Sequence, residues 1–216
     1  MRNIIGSAFV SLDGVMQAPG GPTEDPTGGF KHGGWLFNNF DEAVGKAVGD
    51  LFSRPFDLLL GRRTYDIFAA YWPYAEGDNK PMGEMFDRVH KYVVTHGNHN
   101  LDWQYSHLVS SIDAIAQLKN TDGPDLIIQG SSKLYPQLLA ADLLDTLTLM
   151  IFPVVLSSGN GTHSGAMRMI DSAVSPNGTI IASYASAGPV KADSFVNERL
   201  SNAEISRQEA IVKGTW

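Results

Sequence analysis

The sequence predicts an α/β protein: a mainly parallel sheet, layered between helices on both faces, with an antiparallel end. Three observations predict it. Short apolar runs bounded by turn residues alternate with stretches of helical spacing, the order that parallel strands joined by crossover helices require. No internal repeat and no linker interrupts that order, so 216 residues read as one core. The last alternating stretch, Thr179 to Tyr184, is joined to the segment before it through Ser175-Pro176-Asn177-Gly178, whose Asn-Gly step favours a tight hairpin.

Taken in order, Ile4, Ile5, Ala8, Phe9 and Val10 make a first buried strand that stops at Asp13-Gly14. A long loop follows, because Pro19, Gly20, Gly21, Pro22, Pro26, Gly28, Gly29, Gly33 and Gly34 leave little room for regular structure; loops of this length are usually lids or binding loops. Asp41 to Phe52 predicts a helix, with Asp41 and Glu42 at its positive end and Val44, Val48, Leu51 and Phe52 at helical spacing. Asp57-Leu58-Leu59-Leu60 is a buried strand feeding a helix through Gly61-Arg62-Arg63-Thr64-Tyr65. Tyr92 to Thr95 (strand), Ile112 to Leu118 (helix), Leu126 to Gln129 (strand) and Lys133 to Ala140 (helix) continue the pattern, and Leu147 to Leu156 is a longer strand. Ser201-Asn202-Ala203-Glu204 is a capping box that opens a short helix stopped by Lys213-Gly214. These elements divide the chain into a domain over 1–195 and an extension over 196–216.

Composition removes several kinds of chemistry. With no cysteine there are no disulfides, no thiolate catalysis and no thiolate-bound metal or iron–sulfur cluster. A net charge of −7 without a basic tract argues against nucleic-acid binding. Met1 to Val10 is too short, and too polar at Ser7, for a signal peptide or membrane span, so a cytoplasmic protein with no membrane partner is expected. His90, His96, His99 and His107 follow no strong zinc spacing, and no metal is expected.

Two strand-to-helix junctions carry the functional signal. Leu60-Gly61-Arg62-Arg63-Thr64 sets backbone N–H groups at a positive helix end beside two guanidinium groups, a combination suited to a phosphate, including the extra 2′-phosphate of a phosphorylated dinucleotide. Ile128-Gln129-Gly130-Ser131-Ser132-Lys133-Leu134-Tyr135 is the second, with small residues that let a pyrophosphate approach the backbone. Each alone describes a solvated helix start or an ordinary cap equally well.

With Ser11-Leu12-Asp13-Gly14, Val93-Val94-Thr95 and the Asn177-Gly178 hairpin, these junctions follow an order that resembles the dihydrofolate reductase-like superfamily, in particular the C-terminal reductase domain of the riboflavin-pathway deaminase/reductase. The resemblance implies a three-layer α/β/α fold and NADPH as cofactor. Arg62, Arg63 and Thr64 would hold its phosphates, with Gly61 at the turn. Thr95 and His96 would lie near the 2′-phosphate, and Gly130, Ser131, Ser132 and Leu134 along the pyrophosphate and nicotinamide. Asp13 and Gly14 would stand where nicotinamide and substrate meet. Ser131 replaces the second glycine of the folate enzymes.

Hydride transfer often needs a proton donor. Asp13, Asp41 and Glu42 are the candidates, although acids at a helix start are stabilising in their own right. Phe9 and Trp35 are candidates for the substrate wall, Trp35 because its glycine-rich setting suits a wall for a flat-ring substrate, although core packing is the commoner role of such a residue. The implied activity is NADPH-dependent reduction of a small heterocycle, most like 5-amino-6-(5-phosphoribosylamino)uracil. A dihydrofolate reductase and a non-catalytic nucleotide-binding protein are the alternatives. A homodimer is expected, joined through the strand at 147–155 or the C-terminal helix.

Overall fold

The computed structural model describes residues 1–96, 100–156 and 167–187 together with Lys213. Strands form where apolar and β-branched residues run together: β1 Ile4–Ser11, β2 Phe56–Gly61, β3 Lys91–Val94, β4 Ser106–Val109, β5 Asp125–Gln129, β6 Thr146–Phe152, β7 Met167–Val174 and β8 Ile180–Ser186. Helices α1 Glu42–Leu51, α2 Arg62–Tyr71, α3 Lys80–Arg88, α4 Ile112–Lys119 and α5 Tyr135–Ala140 lie between them. The sheet order is β4-β3-β2-β5-β1-β6-β8-β7. The first six strands are mutually parallel, and β8 runs antiparallel to both β6 and β7.

Helices cover both faces. Ile115 of α4 and Leu138 of α5 pack with Ile4, Ala8, Leu59, Leu126 and Ile128 on one side. On the other, Phe52, Phe56, Leu58, Leu60, Tyr65 and Phe86 join α1, α2 and α3 to the sheet. Val15, Phe30, Trp35 and Leu36 of the long loop close over Val44, Met150 and Phe152. The central strands are buried on both faces, which is why β2 and the middle of β5 are continuous apolar runs. Among the described residues no helix is long and apolar enough to cross a membrane.

The structure departs from the sequence reading in four places. Helix α3 is masked in the sequence by Pro81 and Gly83, yet Pro81 lies in the first turn, where a missing N–H removes no helical hydrogen bond. Strand β4 is a short, mostly exposed edge strand with little apolar signal. The strand expected to reach Leu156 ends at Phe152, because Pro153 has no N–H for the ladder. It is also interior, paired with β1 and β8, so it offers no edge to a partner. The capped helix expected from Ser201 and the residue His99 lie outside the described residues.

Lys91 is fully buried, its Nζ donating to the carbonyls of Asp87 and Gln104 at 3.1 Å each and lying 4.2 Å from the Trp103 ring centroid. Burial pushes its pKa down from 10.5 to about 8, against the pull of Asp87 and Asp57. Between those values the unfolded chain holds a proton that the folded chain does not, so raising the pH favours folding. Urea unfolding at pH 8 and pH 9.5 should show this group's contribution rising with pH, and Lys91→Met should flatten that slope.

Candidate active site

Residues from the sequence motifs meet at one edge of the sheet. Thr95 and His96 follow β3, Arg62 to Thr64 follow β2, Gly130 to Leu134 follow β5, and Asp13 and Gly14 follow β1. These strands are consecutive in the sheet, β3-β2-β5-β1. Open parallel sheets bind ligands beyond the carboxyl ends of their strands. Thr95 itself is buried, with its N–H on Val109 O at 3.1 Å, while His96 is exposed. Gly14, at φ +86°, has nothing within 4 Å of where a Cβ would stand.

The two junctions are fastened to each other. Gly61 N–H donates to Ser131 Oγ at 2.9 Å, and Ser131 N–H donates to Thr64 Oγ1 at 3.1 Å. Gly130 N–H turns back to Ser7 O at 3.1 Å. Gly130 and Ser131 both take left-handed backbone, at φ +76° and +54°. Glycine adopts this without penalty, and a serine held there costs about 1 kcal/mol or more. Ser131 meets that cost with its strut: its Oγ takes the Gly61 donor, and its hydroxyl hydrogen is left to donate. The replacement of a glycine by Ser131 therefore builds the junction as well as narrowing it.

Helix α2 starts at Gly61 with no side-chain cap and no acid in its first turn, so its positive end is not neutralised locally. Arg62 Nε donates to Asp66 at 2.9 and 3.0 Å, one turn along. Arg63 reaches the long loop, bonding Asp25 Oδ2 at 3.0 Å and Thr27 Oγ1 at 3.1 Å. Desolvation pushes the Asp25 carboxyl up, but the Thr27 hydroxyl and N–H and the Arg63 charge together outweigh it and hold its pKa below the usual range. Both guanidinium groups are thus oriented at the start of α2 by carboxylates. An open cleft of about 430 Å³ runs from Arg62 along α2 to Tyr74 and is bounded by Asn100, Asp102 and Trp103; neither Arg63 nor the Gly130–Ser131 junction lines it.

Two side chains that the motif reading missed complete the edge. Ser7 of β1 and Gln129 of β5 are register partners in a parallel pair, so they share a face. Ser7 Oγ and Gln129 Oε1 are buried and have no hydrogen-bond partner among the described residues. Buried polar atoms are nearly always paired, and leaving one unpaired costs about 1–3 kcal/mol. The available signal was slight: Ser7 interrupts the apolar run of β1, and Gln129 is the polar last residue of β5. Tyr135 does not fill this gap: its hydroxyl donates to the carbonyls of Ser7 and Ile128, at 2.9 and 3.3 Å, and full burial pushes its pKa up.

Residues 2–166 match the RibD C-terminal domain family. The chain belongs to that family. Solved structures agree on the fold of this RibD-type domain, which is dihydrofolate reductase-like. A protein of Shewanella sp. PV-4 ascribed to riboflavin biosynthesis is 19% identical, with TM-score 0.57 over 86% of this chain and 99% of that one. A pyrimidine reductase-like protein of Corynebacterium diphtheriae is 13% identical, with TM-score 0.53 over 86% and 92%. Dihydrofolate reductase of Enterococcus faecalis, solved with NADP(H) and an added ligand, is 13% identical, with TM-score 0.52 over 86% and 96%. No curated protein matches the chain.

Within the RibD-type domain the remaining candidates have structural duties. Asp13 accepts Ser11 Oγ–H at 2.7 Å and Leu156 N–H at 3.0 Å, tying the β1 turn to the chain after β6. Asp41 caps α1 through Val44 N–H at 3.1 Å and takes Asn177 N–H at 3.1 Å. Desolvation opposes its ionisation, but hydrogen bonds from Val44, Ser175, Asn177 and Ala43 prevail and lower its pKa, the opposite of what an acid catalyst needs. Glu42 is exposed in the first turn of α1. Trp35 is not an exposed ring: it is 7% exposed, packs edge-on to Phe152 at 5.5 Å and donates to Gln17 O at 2.8 Å. Its glycine-rich loop folds inward, and the indole helps to fill the core beneath it. Phe9 is half-buried against Phe152, and Leu134 is buried in the core, with its N–H on Ser131 O at 2.8 Å.

Proposed function

We propose that this domain is an NADPH-dependent reductase of a small polar heterocycle, most like the ribosylamino-pyrimidine reductase of riboflavin synthesis. The observation that carries this reading is the joined pair of junctions: Ser131 braces Gly61 and Thr64 at an uncapped helix start flanked by Arg62 and Arg63. The residues present fit the cofactor. The start of α2 and its two arginines suit phosphate, with Thr95 and His96 beside them for the 2′-phosphate. The left-handed backbone at Gly130 and Ser131, with Ser132 following, suits close approach of a pyrophosphate. When bound, the cofactor would supply the hydride.

The chain's own residues bind and orient. Arg63, released from Asp25 by a competing phosphate, is the residue through which cofactor and loop would exchange partners. Ser7 Oγ and Gln129 Oε1 would take hydrogen bonds from the substrate or carboxamide. Asp41 is occupied as a cap and Glu42 is solvent-exposed, which favours a riboflavin-type reductase over a folate reductase with a buried helix-start acid. Gly14 would leave room where the two ring systems meet.

The test is reduction of a panel of pyrimidine and pterin compounds, followed by loss of nicotinamide absorbance. Gln129→Ala is expected to lower turnover of the best substrate by about tenfold or more, the worth of one buried hydrogen bond to a ligand. It should not lower stability, because it removes an unpaired buried atom. NADPH binding with no turnover across the panel would favour the non-catalytic alternative.

The reductase unit is taken as 1–195, since β7 and β8 complete the same sheet beyond the family match, with 196–216 as an extension. We take it to work in the cytoplasm, where a reduced nicotinamide pool is available. We also propose a homodimer. Edge strand β7, which exposes Met169, Ile170 and Val174, is its surface in place of the interior β6. Light scattering giving a monomer would remove that part.

A further inference from the structure

The structure brings together two of the four histidines that sequence spacing left apart. His107 lies in β4, in register with Tyr92 of β3, and His90 immediately precedes β3. His90 and His107 are therefore diagonal neighbours on the same exposed face at the sheet edge. Tyr92 stacks on His107 at 5.3 Å, and Tyr105 meets His90 edge-on at 5.8 Å. Aromatic packing alone would need nothing more. Yet His90 Nδ1 and His107 Nε2 face each other at 2.7 Å. Arg2, above the Tyr92 ring, and Asp57 are paired with each other.

We propose that His90 and His107 form a two-imidazole site for a divalent transition-metal ion, independent of the reductase site. Bonds of about 2.0–2.1 Å put cis nitrogens about 2.9 Å apart at right angles, and about 3.3–3.4 Å apart in a tetrahedron. The observed separation is nearer the first value, but with ring centroids 4.9 Å apart the two nitrogens point almost straight at each other, so both exposed rings must swing for their lone pairs to converge on one ion. Two exposed imidazole donors suit late first-row divalent ions, and the affinity order that rises through Ni²⁺ to Cu²⁺ makes these the ions to bind. Among the described residues no group of three His, Asp or Glu could hold a metal, so water completes the shell and hard cations such as Ca²⁺ and Mg²⁺ are not held. His90 coordinates through Nδ1 and His107 through Nε2; the one proton between them moves to the other nitrogen of the ring that carried it, leaving both facing nitrogens with a lone pair.

The experiment is titration of the full chain with CuCl₂ and with NiCl₂ at pH 7.5, about one unit above the ordinary imidazole pKa. Calorimetry is run on the wild type, His90→Gln, His107→Gln and, as a control, His32→Gln. One equivalent is expected to bind in the micromolar range, at least tenfold more weakly in either pair variant and unchanged in the control. Nitrogen hyperfine structure of the Cu²⁺-loaded wild type should report two imidazole nitrogens, a readout that stands even if a variant folds poorly. No binding, binding unaffected by both pair variants, or a spectrum with a single nitrogen would overturn the proposal.

Discussion

Replacing Arg2 by Met is expected to cost about 3–5 kcal/mol of stability. Arg2 and Asp57 are 3% and 4% exposed, and their side chains form an ion pair at the foot of the sheet. Arg2 Nε also donates to Pro124 O, and Asp57 Oδ1 accepts His90 N–H at 3.1 Å. The pair thus ties the chain ahead of β1 to β2, to the approach to β5 and to the start of β3. Methionine fills much of the volume but leaves the Asp57 carboxylate buried without its cation. Urea denaturation should show the midpoint fall, and adding Asp57→Leu to Arg2→Met should restore a good part of the loss. If the single variant lost less than about 1 kcal/mol, the pair would be no stronger than an exposed one.

Gly83→Ala is expected to destabilise by about 1–3 kcal/mol or more, against the usual sign. Inside an exposed helix this exchange normally gains about 0.5–1 kcal/mol. Here a Cβ would stand 2.4 Å from Trp72 O and 3.2 Å from Ala75 Cβ. The first contact is with backbone, so relief requires α3 to move off the turn at Trp72–Tyr74, disturbing the packing of Trp72 on Phe86 at 5.1 Å. A thermal melt of the variant with an unchanged or raised midpoint would contradict this contact.

The fold was legible where one segment decides its own structure. Leu58 to Leu60 and Leu126 to Ile128 read as short buried strands, and Asn177-Gly178 favours a turn, which the structure has with Gly178 at φ +81°. What escaped was decided by distant segments. Gly83 reads as a helix breaker until Trp72 is seen against it. Strand β4 exists because β3 pairs with it, and its own residues are mostly polar or exposed. The site divides in the same way. Glycine and arginine spacing placed the junctions at the strand ends, but that Ser131 joins them is a contact across 70 positions of sequence. Trp35 is buried because its loop folds inward, a direction that a glycine-rich sequence does not state. Ser7 and Gln129 stood out only once burial exposed their missing partners.

If the strand ends around Gly61 and Ser131 hold a phosphorylated dinucleotide, nicotinamide fluorescence during titration with NADPH and NADH will register it. NADPH should bind more tightly than NADH, by about tenfold or more if one charge-assisted contact to the 2′-phosphate is worth about 1.5–3 kcal/mol. Arg62→Ala combined with Arg63→Ala should erase that preference. If neither nucleotide binds at near-millimolar concentration, or if the double variant keeps the preference, the phosphate site is not where this account puts it.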